Sequence, residues 1–295
     1  MPFIIKNYKN QYKIDLNTKN ITKVCLCTVV KLENKYLIEF VEHYKNYSVD
    51  KIYLYDNNNI NDETLEILLY KYIKKKYVII LNYRGKSRKQ FEMYQDCYNQ
   101  NFNIYDWIIF YDADEFINLK NYTNIKDFLN EHKFSKCQSI YLNWIFHSDN
   151  NLLYYNNRSL FKRFPNVIIK KTSLGKTIIR GNIKDIKVRS CHLIDYEIGR
   201  CDGFGKIFAP YNKVFYRPDY KYYYIDHFTY KSTEEFINKI NKGDCIFGNL
   251  NNKSKIYRIK KYFKYNKMTL EKINLIENST GLKIFNLMTN KKVKK

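Results

Sequence analysis

One acidic group in this sequence has residue types and spacing that suit a hard cation: Asp112-Ala113-Asp114, followed at once by Glu115. Carboxylates two residues apart project to the same side of an extended chain and converge in a turn. Divalent ions take oxygen ligands of this kind and complete their shell with phosphate oxygens and water. An ion so held neutralises charge as a phosphorylated group leaves. The pattern is common by chance, and a solvated acidic turn capping the next helix is the competing reading. Its position favours the ion, because it directly follows Trp107–Tyr111, an apolar run that reads as a buried strand.

Two further segments carry polar chemistry. Asp56–Asp62 is rich in Asp and Asn and follows another strand-like run, so its carboxylates and amides suit a base or a ribose. By itself it reads more readily as an Asx-rich turn and helix cap. Tyr224–Glu235 places His227 at the end of an aromatic run, just before Ser232 and Glu235, which form a capping-box pattern. An imidazole there can serve as a late metal ligand, and Lys231 can meet a phosphate as a point charge. A single histidine at a strand end is more often structural.

The elements that must position these groups are legible from hydrophobic period. Thr22–Val30, Lys51–Tyr55, Val78–Leu81 and Trp107–Tyr111 read as strands. Lys35–Tyr47, Glu63–Lys75 and Lys89–Gln100 between them read as helices. This alternation predicts an α/β fold with a mostly parallel sheet. Ligands of such sheets bind off the carboxyl ends of the strands, where both acidic loops fall. Beyond Phe116 the pattern changes: a short helix at Ile125–His132, a strand at Ser139–Trp144, then short strands and turns to Phe228. Helices return at Thr233–Asn241, Ile256–Tyr265 and Leu270–Glu277. The expected organisation is an arm at 1–21, a nucleotide-binding half at 22–116, an acceptor half at 117–245 and a basic helical tail at 246–295.

Composition excludes several classes. With 45% hydrophobic and 17% aromatic residues the chain is folded rather than disordered. The net charge of +23 would suit nucleic acid, anionic membrane or a phosphorylated ligand. Lys, Asn, Ile and Tyr are enriched together, however, and all have AT-rich codons. No block of five or six like charges precedes the domain, so no specific nucleic-acid partner is expected. The seven cysteines include no C-x-x-C pair and read mostly as small buried hydrophobes in a reducing compartment. Without a signal-peptide core or an 18-residue apolar run, a cytoplasmic protein is expected, with peripheral contact to anionic membrane as an open possibility.

Several blocks stand in a characteristic order: Glu33 with Tyr36–Phe40 and His43; Asp50–Asn57; Trp107–Phe116; Asn143–Ser148; Gly175–Arg180; His192; and His227–Gly243. Over about Thr22–Gly243 the chain resembles the glycosyltransferase family 2-like and family 92 group. The resemblance implies a GT-A fold, with a mixed, mostly parallel sheet and C-terminal helices. It also implies a nucleotide-sugar donor, with UDP-sugar foremost, a divalent ion, usually Mn2+ (or Mg2+), and inverting transfer to a glycan, protein or lipid. By that analogy Asp112, Asp114 and His227 hold the metal. Glu33 and Asp56 line the nucleoside pocket, and Lys176, Arg180 and Lys231 meet the diphosphate. Trp144 offers a face to a sugar or packs in the core, while His43 and His192 read as structural. Group members usually carry Lys-Asn-Glu where this chain has Lys31-Leu32-Glu33, and His147 stands where glycine is common. Glu115, Asp195, Asp202 and Glu235 remain as alternatives for the base that deprotonates the acceptor. A non-catalytic basic binding protein on the same fold, and a nucleotidyltransferase, are the competing functions. The second lacks a Gly-rich phosphate loop.

Overall fold

A computed structural model describes residues 23–289, apart from 88, 169–171, 193, 196–197, 209–219 and 244–247. The arm at 1–21 and the lysine cluster at 291–295 lie outside the described residues. The chain begins with β1 (Val24–Val30), α1 (Leu37–Asn46), β2 (Lys51–Asp56), the short helices α2 (Leu65–Leu68) and α3 (Tyr70–Lys74), β3 (Val78–Asn82), α4 (Gln90–Asn101) and β4 (Trp107–Phe110). β1 pairs in parallel with β2 on one side and β4 on the other, and β2 pairs in parallel with β3. This is the α/β alternation expected from the sequence. The helix expected over Glu63–Lys75 is broken at Leu69, and the one expected to start at Lys35 opens with a 3-10 turn at Asn34–Tyr36.

Every residue of β1 and β4 is buried, and side-chain alternation divides them between two cores. Val24, Leu26, Val30, Trp107 and Ile109 meet α1 through Leu37, Phe40, Val41 and Tyr44. Cys25, Cys27, Val29, Ile108 and Phe110 meet α4 through Met93, Tyr94, Cys97 and Tyr98. A strand buried on both faces reads as a continuous apolar run.

The second half adds β5 (Glu115–Leu119), α5 (Ile125–Leu129), β6 (Ser139–His147), α6 (Leu160–Arg163), β7 (Val167–Ile168), β8 (Gly175–Arg180), β9 (Arg200–Asp202), β10 (Ile207–Phe208) and β11 (Tyr223–His227). β8 joins the sheet antiparallel to β4 and carries β6, β9 and β10 beyond it. Gly175 is obligatory there: a Cβ would lie 2.0 Å from the Leu142 carbonyl oxygen. β5 was not anticipated. It starts inside the acidic turn and pairs antiparallel with β11, which itself runs parallel to β6.

Among the described residues, four helices follow β11: α7 (Thr233–Lys242), α8 (Asn252–Tyr265), α9 (Leu270–Thr280) and α10 (Phe285–Thr289). They pack as part of the fold. Ile259, Tyr262, Ile273, Ile276, Leu282 and Ile284 join the core that contains β1. Lys272 and Tyr262 both bind the buried Asp149 carboxylate. The region expected as a tail from 246 therefore shares its hydrophobic core with the sheet.

The structure corrects the reading of the cysteines as unpaired. Cys27 bonds Cys97, and Cys137 bonds Cys201, while Cys25 and Cys191 are free and buried. Cys245 lies outside the described residues. Each bridge joins separate elements, so linear spacing carries no sign of it, and the cysteines no longer support a reducing compartment. Closing the loop between Cys137 and Cys201, 64 residues apart in sequence, stabilises by about 4 kcal/mol in the chain-entropy account. The Cys137→Ser/Cys201→Ser variant is expected to unfold at lower urea by that amount. An unchanged midpoint with and without reductant would show the thiols to be unpaired in solution.

Candidate functional site

The acidic turn is fixed from both ends. The Asp112 amide donates to Glu115 Oε2 at 2.9 Å, and the Glu115 amide donates to the Asp112 carbonyl at 3.0 Å. β11 then sets His227 opposite Glu115 in register, and the Phe228 amide donates to the Asp114 carbonyl at 2.9 Å. Asp114, Glu115 and His227, all buried, thus bring one ligand atom each within 4.8 Å of the others. His227 Nε2 stands 3.5 Å from Asp114 Oδ1. That is long for a hydrogen bond, and close to the ~3 Å that separates adjacent ligands on an octahedral ion with ~2.1 Å bonds. Among the described residues Glu115 Oε1 and His227 Nδ1 are buried without a hydrogen-bond partner. Two carboxylates and an imidazole with unspent lone pairs fit a divalent Mn2+- or Mg2+-type ion.

Asp112 does not join this cluster. Its Oδ1 accepts from Gln90 at 3.0 Å and Tyr94 at 2.9 Å, and its Oδ2 lies 2.8 Å from Lys176 Nζ. A third of its side chain is exposed, into the cavity above the turn. Lys176 is fully buried beneath Asp112 and Glu115. Burial works against its charge, but the two carboxylates outweigh burial and hold its pKa well above the usual lysine value.

The cavity holds about 380 Å³ and lies off the carboxyl ends of β1 and β4. Asp112, Ala113 and Asp114 line it, together with Trp144, His192 and His227. The lining is also basic, with Lys239 and Lys242 from α7 and Arg258 and Lys261 from α8. Lys239 Nζ sits 2.7 Å from Asp114 Oδ2, and Lys231 Nζ sits 4.0 Å from the same atom. Glu33 is clamped between Lys231 at 2.6 Å and Lys242 at 3.0 Å. Burial raises the Glu33 and Asp114 carboxyls, but the lysines, and His227 beside Asp114, more than compensate, so both titrate below the ordinary carboxylate range. Burial pushes the Glu115 carboxyl well above that range. It lowers the His227 imidazole too, against the pull of Asp114, which leaves the neutral form that binds metals.

Of the residues singled out in the sequence, Asp114, His227, Glu115, Asp112 and Glu33 gather at this cavity. Asp56 is buried at the end of β2 and paired with Arg84 at 2.9 Å. Arg180 is far from the cluster: it pairs in register with Trp107, at the opposite end of β4, and donates to the Cys137 and Phe134 carbonyls. Three of the alternatives for a base are bound into structure. Glu235 caps α7 and pairs with Arg163, Asp195 accepts from the Lys187 amide, and Asp202 accepts from the Phe204 and Lys206 amides. His43 bonds the Ile117 carbonyl, and burial lowers its pKa to about 4, consistent with a structural role. Sequence reasoning missed Lys239 and Lys242. Their spacing of three on a capped helix just after His227 was the available signal.

The sequence model of glycosyltransferase family 92 matches residues 22–274. A glycosyltransferase family 92 protein of Ricinus communis is 25% identical over 105 residues, covering 36% of this chain and 19% of that protein, so the match spans about a fifth of the relative's length. Among solved structures, Staphylococcus aureus TarS 1–349 in complex with UDP-GlcNAc is similar at 16% identity and TM-score 0.42, over 88% of this chain and 80% of that one. The mannosyltransferase PcManGT of Pyrobaculum calidifontis, in complex with GDP-Man and Mn2+, is similar at 7% identity and TM-score 0.32, over 45% and 39%.

Proposed function

The chain belongs to glycosyltransferase family 92, and from that premise we propose that it transfers a sugar from a nucleotide sugar to a hydroxyl of its acceptor. The observation that carries the reading is a buried carboxylate–imidazole cluster at a cavity that Lys239, Lys242 and Lys261 also line. Such a lining suits a diphosphate, which brings more negative charge than the acidic turn can tolerate without cations. In this reading Asp114 and His227 hold a divalent ion, Mn2+ or Mg2+. Glu115 lies behind them, and Asp112 opens on the same cavity. When bound, the ion neutralises charge on the departing diphosphate. Lys239 and Lys242 swing from the carboxylates they hold to the phosphate oxygens, as point charges on flexible stems. Glu33 faces the nucleoside, and Trp144, 4.3 Å from the His227 ring, offers the sugar an apolar face. Anomeric inversion, implied by the family resemblance, is read by NMR of the product.

The test is a panel of UDP-, GDP- and CMP-sugars with Mn2+ and with EDTA. One donor is expected to release its nucleotide with Mn2+, and chelation is expected to abolish that release. No turnover with any donor, together with no nucleotide binding by calorimetry, would overturn the proposal.

A further inference from the structure

Transfer to a hydroxyl needs a group that takes the hydroxyl proton. None of Glu115, Asp195, Asp202 and Glu235 lines the cavity. Of the carboxylates, imidazoles and thiol that do line it, one is uncommitted. Glu33 lies between Lys231 and Lys242. Asp112 takes Gln90 and Tyr94 on one oxygen and Lys176 on the other. Asp114 and His227 belong to the ion in the reading above. Burial pushes the Cys191 thiol up to about 11, so little of it is thiolate at neutral pH. His192 remains, a residue that read as structural in the sequence.

The fold fixes both its place and its tautomer. An antiparallel bridge between Ser190 and Ile194 closes the turn that carries it. The His192 amide donates to Ser190 Oγ at 3.1 Å, and its carbonyl accepts from Thr177 Oγ1 at 2.6 Å. Nδ1 lies 3.1 Å from the Gly175 carbonyl oxygen. A carbonyl oxygen only accepts, so Nδ1 carries the proton and Nε2 keeps its lone pair. Gly175 and Thr177 flank Lys176 on β8, so the strand that sets the lysine beneath Asp112 also holds this imidazole. Among the described residues Nε2 has no hydrogen-bond partner, and unlike His227 Nδ1 it is not sealed from solvent. Burial first, then Lys176, lowers the His192 pKa against the pull of Asp112 and the Gly175 carbonyl, and His227 lowers it further. The ring is therefore neutral at physiological pH, as a proton acceptor must be.

Its position suits the role. The Trp144 indole touches both cavity imidazoles, with ring centres 5.0 Å from His192 and 4.3 Å from His227. A sugar resting on that indole lies beside each of them. His227 belongs to the carboxylate–imidazole cluster, and His192 stands outside it. Displacement with inversion brings the nucleophile to the face opposite the leaving group, so its base must stand apart from the groups that hold the diphosphate.

We propose that His192 is the general base of the transfer. Its Nε2 takes the acceptor hydroxyl proton as the hydroxyl oxygen bonds to the anomeric carbon. The electron pair of the breaking anomeric C–O bond leaves with the diphosphate, and the imidazolium then gives its proton to solvent. The inference rests on the sugar-transfer reading and names a residue within it.

The test follows nucleotide release from the donor that the panel above selects, with water as acceptor and then with sodium azide, against sodium chloride at equal concentration. Azide is a nucleophile with no proton to lose, so it needs no base. Two variants are used: His192→Ala, which leaves room for the added anion, and His192→Gln, whose amide can still donate to Gly175. Both are expected to release nucleotide to water about a hundredfold more slowly than wild type, the scale of general-base catalysis. Azide should restore His192→Ala to within about threefold of wild type and yield the glycosyl azide by mass spectrometry. Mn2+ affinity, nucleotide affinity and the urea midpoint of His192→Gln should match wild type. Undiminished release by His192→Gln beside an active wild type would overturn the base and leave the transfer reading standing. A loss that azide does not restore would overturn it in favour of a structural role for the turn. An azide-restored loss in Asp112→Ala but not in His192→Ala would overturn it in favour of Asp112. If wild type releases nucleotide from no donor, the transfer reading falls and the base falls with it.

Discussion

Asp114→Asn is expected to lower turnover by at least about a hundredfold, the scale seen when one preorganised electrostatic contact to a reacting group is lost. The side chain is buried between Lys239 at 2.7 Å and His227 at 3.5 Å, with Lys231 at 4.0 Å. Burial alone would favour its protonated form, but those cations outweigh burial and hold its pKa well below the ordinary carboxylate range. Asparagine keeps the shape and removes the charge. A modest stability loss should accompany it, roughly 1–2 kcal/mol. That is less than the usual cost of breaking a buried pair, because Lys239 is 26% exposed and can turn to water. Two measurements separate a metal ligand from a mere lysine partner. Mn2+ affinity, followed by paramagnetic resonance, should collapse in Asp114→Asn. In Lys239→Met it should be retained or tightened, with the donor KM raised instead. If Lys239→Met loses Mn2+ and turnover as completely as Asp114→Asn, Asp114 is only holding Lys239 in place.

The second large effect is structural. Arg163→Ala is expected to destabilise the fold by about 3–5 kcal/mol, the cost of leaving a buried carboxylate without its cation. Arg163 grips Glu235 through two bonds of 2.8 and 3.0 Å, with side chains 1% and 5% exposed. Glu235 also accepts from Ser232 and from the Tyr36 hydroxyl, so one carboxylate ties α6, α7 and the turn after β1 together. Burial alone would raise the Glu235 pKa, yet Arg163, Ser232 and Tyr36 pull it down from 4.5 to about 2. A depressed folded-state pKa contributes stability above the unfolded value. That contribution is lost as pH falls from about 4.5 toward about 2, and amounts to about 3 kcal/mol. Acid unfolding of Arg163→Ala should therefore begin at higher pH and show a shallower dependence across that window. Identical acid-unfolding profiles for variant and wild type would refute the pairing. Glu235→Gln distinguishes structure from catalysis. Activity per folded molecule should survive, because Glu235 faces Arg163 and lies outside the cavity lining.

The acidic site was legible because its neighbours in sequence are its neighbours in space. Asp112, Asp114 and Glu115 occupy one turn at the end of a fully buried strand, and a buried strand announces itself by an unbroken apolar run. His227 was legible only through family resemblance, since one histidine at a strand end carries little chemical information. Glu235 looked catalytic in the sequence because a capping box and an acid–base residue use the same letter. The partner that decides between them, Arg163, is 72 residues away. Arg180 suffered the same ambiguity from the other side. Position on β8 gives it a strand but not an end of the sheet, and antiparallel pairing with β4 sends it away from the turn.

By itself the sequence determined the α/β alternation, the burial of β1 and β4 on both faces, the acidic turn at a strand's carboxyl end, and the capped start of α7. These depend on local period and on contacts a few residues apart, which the order of side chains encodes directly. Tertiary structure alone decided four things: the His227–Glu115 register, the lysines that neutralise Glu33 and Asp114, the disulfide pairing, and the docking of α8 against the cleft. Each joins residues brought together by strand pairing or by burial of a shared core. Electrostatic attraction at 3 Å is indifferent to separation along the chain, so it leaves no periodic trace there.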